Sequence, residues 1–190
     1  ISTIGMLKLN LEAGDLCLTG VKSVYGDKVV VESFNLGDTD FRTQLLKINS
    51  AGAGAVINVG FEGDTYNALQ VIKNQSYTMK YGTVDDTITE KVKQAFPDQL
   101  KGAWAFGFKD PSASFTSRVD AAAGSAKLST YYAAAEAFTH IPQLVMSLAD
   151  CAKDTACTAQ RIASSAADSN SGFKGYENRI ANMQMSIKQY

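Results

Sequence analysis

The chain has 190 residues, 45% of them hydrophobic, with 18 basic and 19 acidic side chains and a formal net charge of −1. That length fits one domain or two small ones and suffices for a real hydrophobic core. The charge balance excludes a strong basic field for gripping nucleic acid or an anionic membrane, and no apolar run approaches the roughly 20 residues of a membrane-spanning helix. The chain opens at Ile1 rather than Met and shows no secretory signal, which predicts that it has been trimmed.

Hydrophobic periodicity alternates between strand and helix along the first 108 residues. Ile4 to Leu9 reads as a strand and Asn10 to Gly14 as its exit loop; Leu16, Val21, Val24 and Tyr25 then mark a helix closed by Gly26. Lys28 to Phe34, rich in β-branched residues, is the second strand. After the Asn35-Leu36-Gly37 turn, Asp38 or Thr39 is placed to cap a helix carrying Phe41, Leu45 and Ile48 and stopped by Gly52. Ala55 to Val59 is a short buried strand, leading through Gly60-Phe61-Glu62-Gly63 into a helix with Tyr66, Leu69 and Ile72 on its inner stripe. Tyr77 to Tyr81 is predicted as the fourth strand. Thr87 and Glu90 form a capping box for a helix ended by Pro97, and Gly102 to Phe108 is the fifth strand. Such alternation predicts an α/β fold: a mostly parallel, doubly wound sheet with helices on both faces.

The pattern changes after Asp110-Pro111-Ser112 and becomes mainly helical. Ser129 is placed to cap a long helix running through Leu148, kinked at Pro142; a shorter helix spans Asp154 to about Ala163. Ser164 to Asn178 reads as a loop, and the chain ends as a strand over Met185 to Tyr190. Cys151 and Cys157 flank a short polar segment between two helical patterns, which suits a local disulfide and an oxidising compartment; two unrelated thiols on adjacent helix ends is the alternative. Cys17, between two leucines, reads as a buried, inert thiol.

Several chemistries are excluded by what the sequence contains. A single histidine, His140, rules against multi-histidine metal sites and leaves any Ser-His-Asp triad dependent on one helix-face residue. Gly52-Ala53-Gly54-Ala55 precedes a strand, whereas a phosphate cradle needs its glycines between a strand and the following helix. There is no Walker A sequence and no Gly-x-Ser-x-Gly elbow. Asp85-Asp86 is placed to cap the next helix rather than to act as an acid and base pair. No metal, cofactor or catalytic residue is therefore assigned. In an open α/β sheet, ligands bind beyond the carboxyl ends of the strands. Those loops contribute Glu12, Phe61, Glu62, Thr83 and Asp85, a mixed aromatic and polar set without a nucleophile and base. It suits holding a small polar molecule better than transforming it; ordinary loop packing is the alternative.

The run from Val29 to Ile48, with Gly37-Asp38-Thr39-Asp40-Phe41 at its centre, resembles a hallmark of type I periplasmic binding proteins, the solute receptors of branched-chain amino acid type ABC transporters. Tyr25-Gly26-Asp27-Lys28, Ala55 to Gly60 and Leu100-Lys101-Gly102-Ala103-Trp104 fall in matching order. The resemblance covers residues 4 to 108 and continues more loosely through Tyr131 to Ala137. It implies a Venus-flytrap receptor whose two lobes close on a small polar solute such as an amino acid, read by a membrane permease, in the periplasm or outside the cell. An extracytoplasmic sensor domain with the same fold is the second reading.

On this resemblance Phe61 takes the place of an aromatic ligand contact, and Thr83 or Asp85 the place of the acid that meets a ligand ammonium. Ala13 stands where the family often has a tyrosine, so one contact is absent. Residues 1–108 correspond to the second, ligand-binding lobe. Residues 109–190 correspond to a mainly helical return segment that would pack on a first lobe absent from this chain. The expectation is a fragment, or a reduced relative completed by a second chain.

Overall fold

The computed structural model describes residues 2–108, 112–124, 141, 144–152, 154–164, 173–177, 180–183 and 185–190. The chain divides into two compact units, Ile1–Gly107 with Ile187–Tyr190, and Phe108–Ser186. The segments Ile4–Leu9 (β1), Val29–Phe34 (β2), Ala55–Val59 (β3), Lys80–Val84 (β4) and Trp104–Phe108 (β5) form strands. With Met185–Gln189 (β8) they make one six-stranded sheet in the order β2-β1-β3-β4-β5-β8. The pairings of β1 with β2 and β3, of β3 with β4 and of β4 with β5 are all parallel. Every residue of β1 and β3 is buried, which is why these strands, apart from Lys8 and Asn58, read as apolar runs rather than alternating ones.

Helices return the chain between parallel strands and sort to the two faces. Leu7, Leu9, Val56 and Tyr81 point to one face, where they meet side chains from Arg42–Ser50 (α2), Glu62–Asn74 (α3), Glu90–Ala95 (α4) and Pro97–Leu100 (α5). Phe34 and Phe41 pack edge to face there at 4.9 Å, a contact worth about 0.5–1.5 kcal/mol beyond its buried area. Ile4, Met6, Ala55, Ile57 and Val59 point to the other face, against Leu18, Val21 and Tyr25 of Glu12–Tyr25 (α1).

Several boundaries differ from the sequence expectation, among them that of β5, which starts at Trp104 rather than Gly102. The helix α1 starts at Glu12, so the exit loop after β1 shrinks to Asn10 and Leu11. Neither Asp38 nor Thr39 caps α2. Phe41 is its N-cap; Asp38 accepts the Asn35 N–H at 2.8 Å within the preceding turn, and Asp40 accepts the Arg42 N–H at 3.0 Å. The fourth strand is Lys80–Val84, later than Tyr77 to Tyr81. The close of α3 takes up the earlier residues, with the N–H of Ser76 and of Tyr77 bonded back to Lys73 and Ile72. Thr89, not Thr87, caps α4 through the Val92 N–H; Pro97 lies beyond the end of that helix, as expected, and also opens α5, a position where its missing N–H costs nothing.

In the second unit, Ala113–Ala123 (α6) and Thr155–Ala163 (α7) are helices, as are residues 144–150. Asp154 caps α7 by accepting the Cys157 N–H at 2.8 Å. Cys151 and Cys157 are joined by a disulfide with Cα atoms 5.7 Å apart. The expected long helix from Ser129, its Pro142 kink and His140 lie largely or wholly outside the described residues. The segment expected as a loop contains a strand, Phe173–Glu177 (β6), paired antiparallel with Ile180–Met183 (β7), since cross-strand pairing outweighs the small polar residues around it. The last strand returns to the first unit, where Tyr190 bonds Gly102 and Ala103 through its backbone.

Among the described helices of the first unit, only α1 packs on the second face of the sheet, and beside it lies an apolar groove of about 350 Å³ lined by Val21, Val24, Ile57, Val59, Trp104 and Phe106 among others. The Trp104 indole lies across the backbone of β4: a Cβ at Gly82 would stand 2.4 Å from its ring. Gly82→Ala is therefore expected to displace the ring and lower stability by about 1–3 kcal/mol. Trp104 is the only tryptophan, so urea unfolding followed by its emission reads both effects. An unchanged midpoint with an unchanged native spectrum would contradict the packing. For the disulfide, intact mass under non-reducing conditions should fall two hydrogens short of the fully reduced chain; a mass equal to the reduced form would contradict the bridge.

Candidate functional site

Parallel pairing brings the carboxyl ends of β1, β3 and β4 to one edge of the sheet, where α1 and α3 begin. The first turn of α1 presses directly on the end of β1. A Cβ at Gly14 would lie 2.2 Å from the Leu9 carbonyl oxygen, so only glycine admits this approach. Lys8, buried at the end of β1, reaches Asp15 of the same helical turn at 2.6 Å. This pair neutralises a charge that would otherwise be stranded under the helix. At the start of α3, Phe61 is the N-cap and its N–H donates to the Asp64 carboxylate at 2.8 Å. Burial, more than any other influence, pushes the Asp64 carboxyl above its usual range; the bond from Phe61 pulls it down, and Asp38 adds to the rise. By contrast, the exposed Asp40 is held down to about 2, mainly by the side-chain hydrogen bonds from Arg42.

Beneath this edge lies a cluster of hydroxyls and an amide. Asn58 of β3 is fully buried and donates through Nδ2 to Thr65 Oγ1 at 3.2 Å and to Tyr81 Oη at 2.9 Å. Thr65 of α3 donates to Thr87 Oγ1 at 2.9 Å, and Thr87 donates to the Val84 carbonyl at 2.7 Å. Thr83 stands 2.9 Å from Thr87. Because the Thr87 proton is committed to Val84, the Thr83 hydroxyl is the donor of that pair. Asn58 Oδ1 is buried with no hydrogen-bond partner among the described residues. Burial of the Tyr81 phenol pushes its pKa up and keeps it neutral. Nearer the surface, the Thr89 hydroxyl donates to Glu62 Oε1 at 2.9 Å.

Of the residues singled out from sequence, Glu12, Phe61 and Glu62 are exposed at this edge, Phe61 with 56% of its surface accessible. Thr83 differs: its side chain is fully buried and its hydroxyl is engaged with Thr87, so it faces the interior rather than the edge. Asp85 opens the 3₁₀ turn Asp85–Thr87, and its side chain lies outside those described. The sequence does not mark Asn58, Asp64 or Thr65 as site residues, and it gives Thr87 a capping role only. An asparagine inside the apolar run Ala55 to Val59 was the available signal, since a polar residue there must find partners. Cys17 is half-buried, and burial pushes its thiol up. Among the described residues no group of three or more His, Cys, Asp or Glu side chains is arranged to hold a metal ion, and no helix is long and apolar enough to cross a membrane.

At the level of sequence, no protein-family model and no curated protein matches the chain. Its structure does match solved ones. A type 1 periplasmic binding protein from Bordetella pertussis superposes with a TM-score of 0.80 at 12% identity, covering 100% of this chain and 58% of that one. A leucine binding protein from Thermotoga maritima gives 0.78 at 14% identity, covering 100% and 57%. An ABC transporter solute binding protein from R. palustris, in complex with 4-hydroxybenzoate, gives 0.80 at 13%, covering 98% and 56%. The chain thus has the fold of type I periplasmic binding proteins and spans a little over half the length of these structures.

Asp64 binds its proton more tightly in the folded chain than in the unfolded one. Its contribution to stability is therefore complete below the ordinary aspartate value of 3.8 and declines as pH climbs through the raised value. Against wild type, Asp64→Asn is expected to gain relative stability as pH rises above 3.8 and to hold a constant difference below it. Chemical denaturation across that range measures the difference; a gap that is flat, or that moves the other way, would contradict the burial of the carboxylate.

Proposed function

We propose that this chain is part of an extracytoplasmic solute-binding protein of an ABC transporter, capturing a small polar solute without covalent chemistry. The single observation that carries the reading is the carboxyl-end edge of the sheet: exposed Phe61, Glu12 and Glu62 gathered at two helix starts, in the fold of solute-binding proteins. Phe61 offers an apolar face to the solute, Glu12 and Glu62 accept hydrogen bonds, and Asp85, by its place in the turn, meets an ammonium group. The helix starts at this edge carry their own anions, Glu12 and Asp15 on α1 and Glu62 and Asp64 on α3. Those acids offset the partial positive charge that helix N-termini would lend to an anionic ligand. The edge thereby favours a solute bearing a cationic group, such as an amino acid.

On this reading residues 1–108 supply one wall of the cleft, and a facing lobe, preceding it or borne by a second chain, supplies the other. Residues 109–186 belong with that facing lobe, while the last strand returns to this one. Solute closes the two walls because the closed arrangement makes contacts to it that the open one lacks, and a permease reads that closed state in the periplasm.

The test is solute binding by the polypeptide as its own cells produce it, with leucine and 4-hydroxybenzoate in the panel. A solute at a hundredfold excess over its Kd stabilises the protein by about 2.7 kcal/mol, visible as a thermal shift. The best solute is expected to carry an ammonium group, and Phe61→Ala to weaken it about tenfold or more. No shift with any amino acid or aromatic acid would refute the reading; an unchanged affinity in Phe61→Ala would remove Phe61 from the site.

A further inference from the structure

The turn Asp85–Thr87 follows the end of β4 at the proposed solute edge, and what holds it there is inside the protein. The hydrogen bonds beneath it run in one direction: Asn58 to Thr65, Thr65 to Thr87, and Thr87 to the Val84 carbonyl. Thr83 joins at Thr87 as a second donor. Thr87 is thus the point where strand β4, helix α3 and the turn meet, and it is 3% exposed. The Thr89–Glu62 bond fastens the same two segments nearer the surface.

We infer that Thr87 is the positioning residue of this half of the site. Its hydroxyl fastens the 85–87 turn to the first turns of α3, and so fixes the backbone that carries Asp85 before any solute arrives. The link to solute rests on the function proposed above; the fastening does not. The residue touches no solute itself and acts only through the segments it joins. Preorganisation of this kind raises affinity by removing the cost of ordering the turn on binding.

Thr87→Val keeps the shape of the side chain and removes the hydroxyl. It removes the acceptor of the Thr65 and Thr83 hydroxyls, leaving them only each other at 3.4 Å, and takes the donor from the Val84 carbonyl, while Thr87→Ser restores all three bonds. Nitrogen-15 relaxation on the 190-residue chain reads the turn directly. The expected wild-type order parameter over 85–88 is about 0.85, falling below about 0.6 in Thr87→Val and returning in Thr87→Ser, with β1 and β3 unchanged throughout. In the polypeptide as its own cells produce it, Thr87→Val is expected to raise the Kd for leucine or 4-hydroxybenzoate, whichever binds, about tenfold. An unchanged order parameter, or an equal loss in β1 and β3, overturns the fastening. A loosened turn with unchanged Kd overturns the positioning role. If neither probe binds wild type, the best-binding amino acid or aromatic acid takes their place; if none binds, the solute reading fails, and the relaxation data still decide whether Thr87 holds the turn.

Discussion

Parallel pairing is the constraint on which the rest of this structure depends. Strands that run side by side in one direction cannot be joined by tight turns, so each connection must cross a face of the sheet as a helix. That single requirement buries β1 and β3 on both faces, makes their sequences apolar apart from Lys8 and Asn58 and sends every one of these strands out at the same edge. The helices that follow begin at that edge as well, which gathers exposed backbone, acidic first turns and the Phe61 ring in one place without any of them being near in sequence.

The cost of this layout falls on the polar groups trapped beneath the edge. Asn58 sits in a strand buried on both faces, and its amide NH2 left unpaired there would cost about 1–3 kcal/mol. Thr65 and Tyr81 answer it from a neighbouring helix and strand, and Thr65 passes the demand on to Thr87. Each threonine hydroxyl both accepts and donates, which is what lets a chain of them cross between elements where a valine of the same shape would stop it. The polar cluster therefore does for the 85–87 turn what the Lys8–Asp15 pair and the close approach at Gly14 do for α1: it fixes the start of a site element from below.

Much of this was legible in the residues and some of it was not, for identifiable reasons. The strands Ile4–Leu9 and Ala55–Val59 fall where the apolar runs put them, because burial on both faces leaves nothing else to decide their ends. Lys80–Val84 is displaced by three residues, since the helix before it closes through Ser76 and Tyr77, and that wrap leaves no periodic trace. Asp38 and Thr39 have the right chemistry for a cap, but the turn at Asn35 claims Asp38 first. At the edge, Phe61 and Glu62 could be placed by topology alone. Thr83 could not, because its position in the strand says where its backbone lies and not whether a second threonine, four residues on, holds its hydroxyl inside.

On the proposed reading, the division of labour within the site follows from the same electrostatics. Lys8 is paired with Asp15 and lies under the helix, so it is not presented to a ligand at the edge. The starts of α1 and α3 are already balanced by their own acids. A carboxylate on the solute thus finds little to attract it here and must draw its hydrogen-bond donors from the facing lobe. An ammonium finds acceptors on this side, with the Phe61 ring covering the apolar remainder of the molecule. A zwitterion satisfies both walls at once and pulls them together, whereas a simple aromatic acid engages this wall through its ring alone. The chemistry of one edge thereby constrains the solute even though the groups that recognise its other end lie elsewhere.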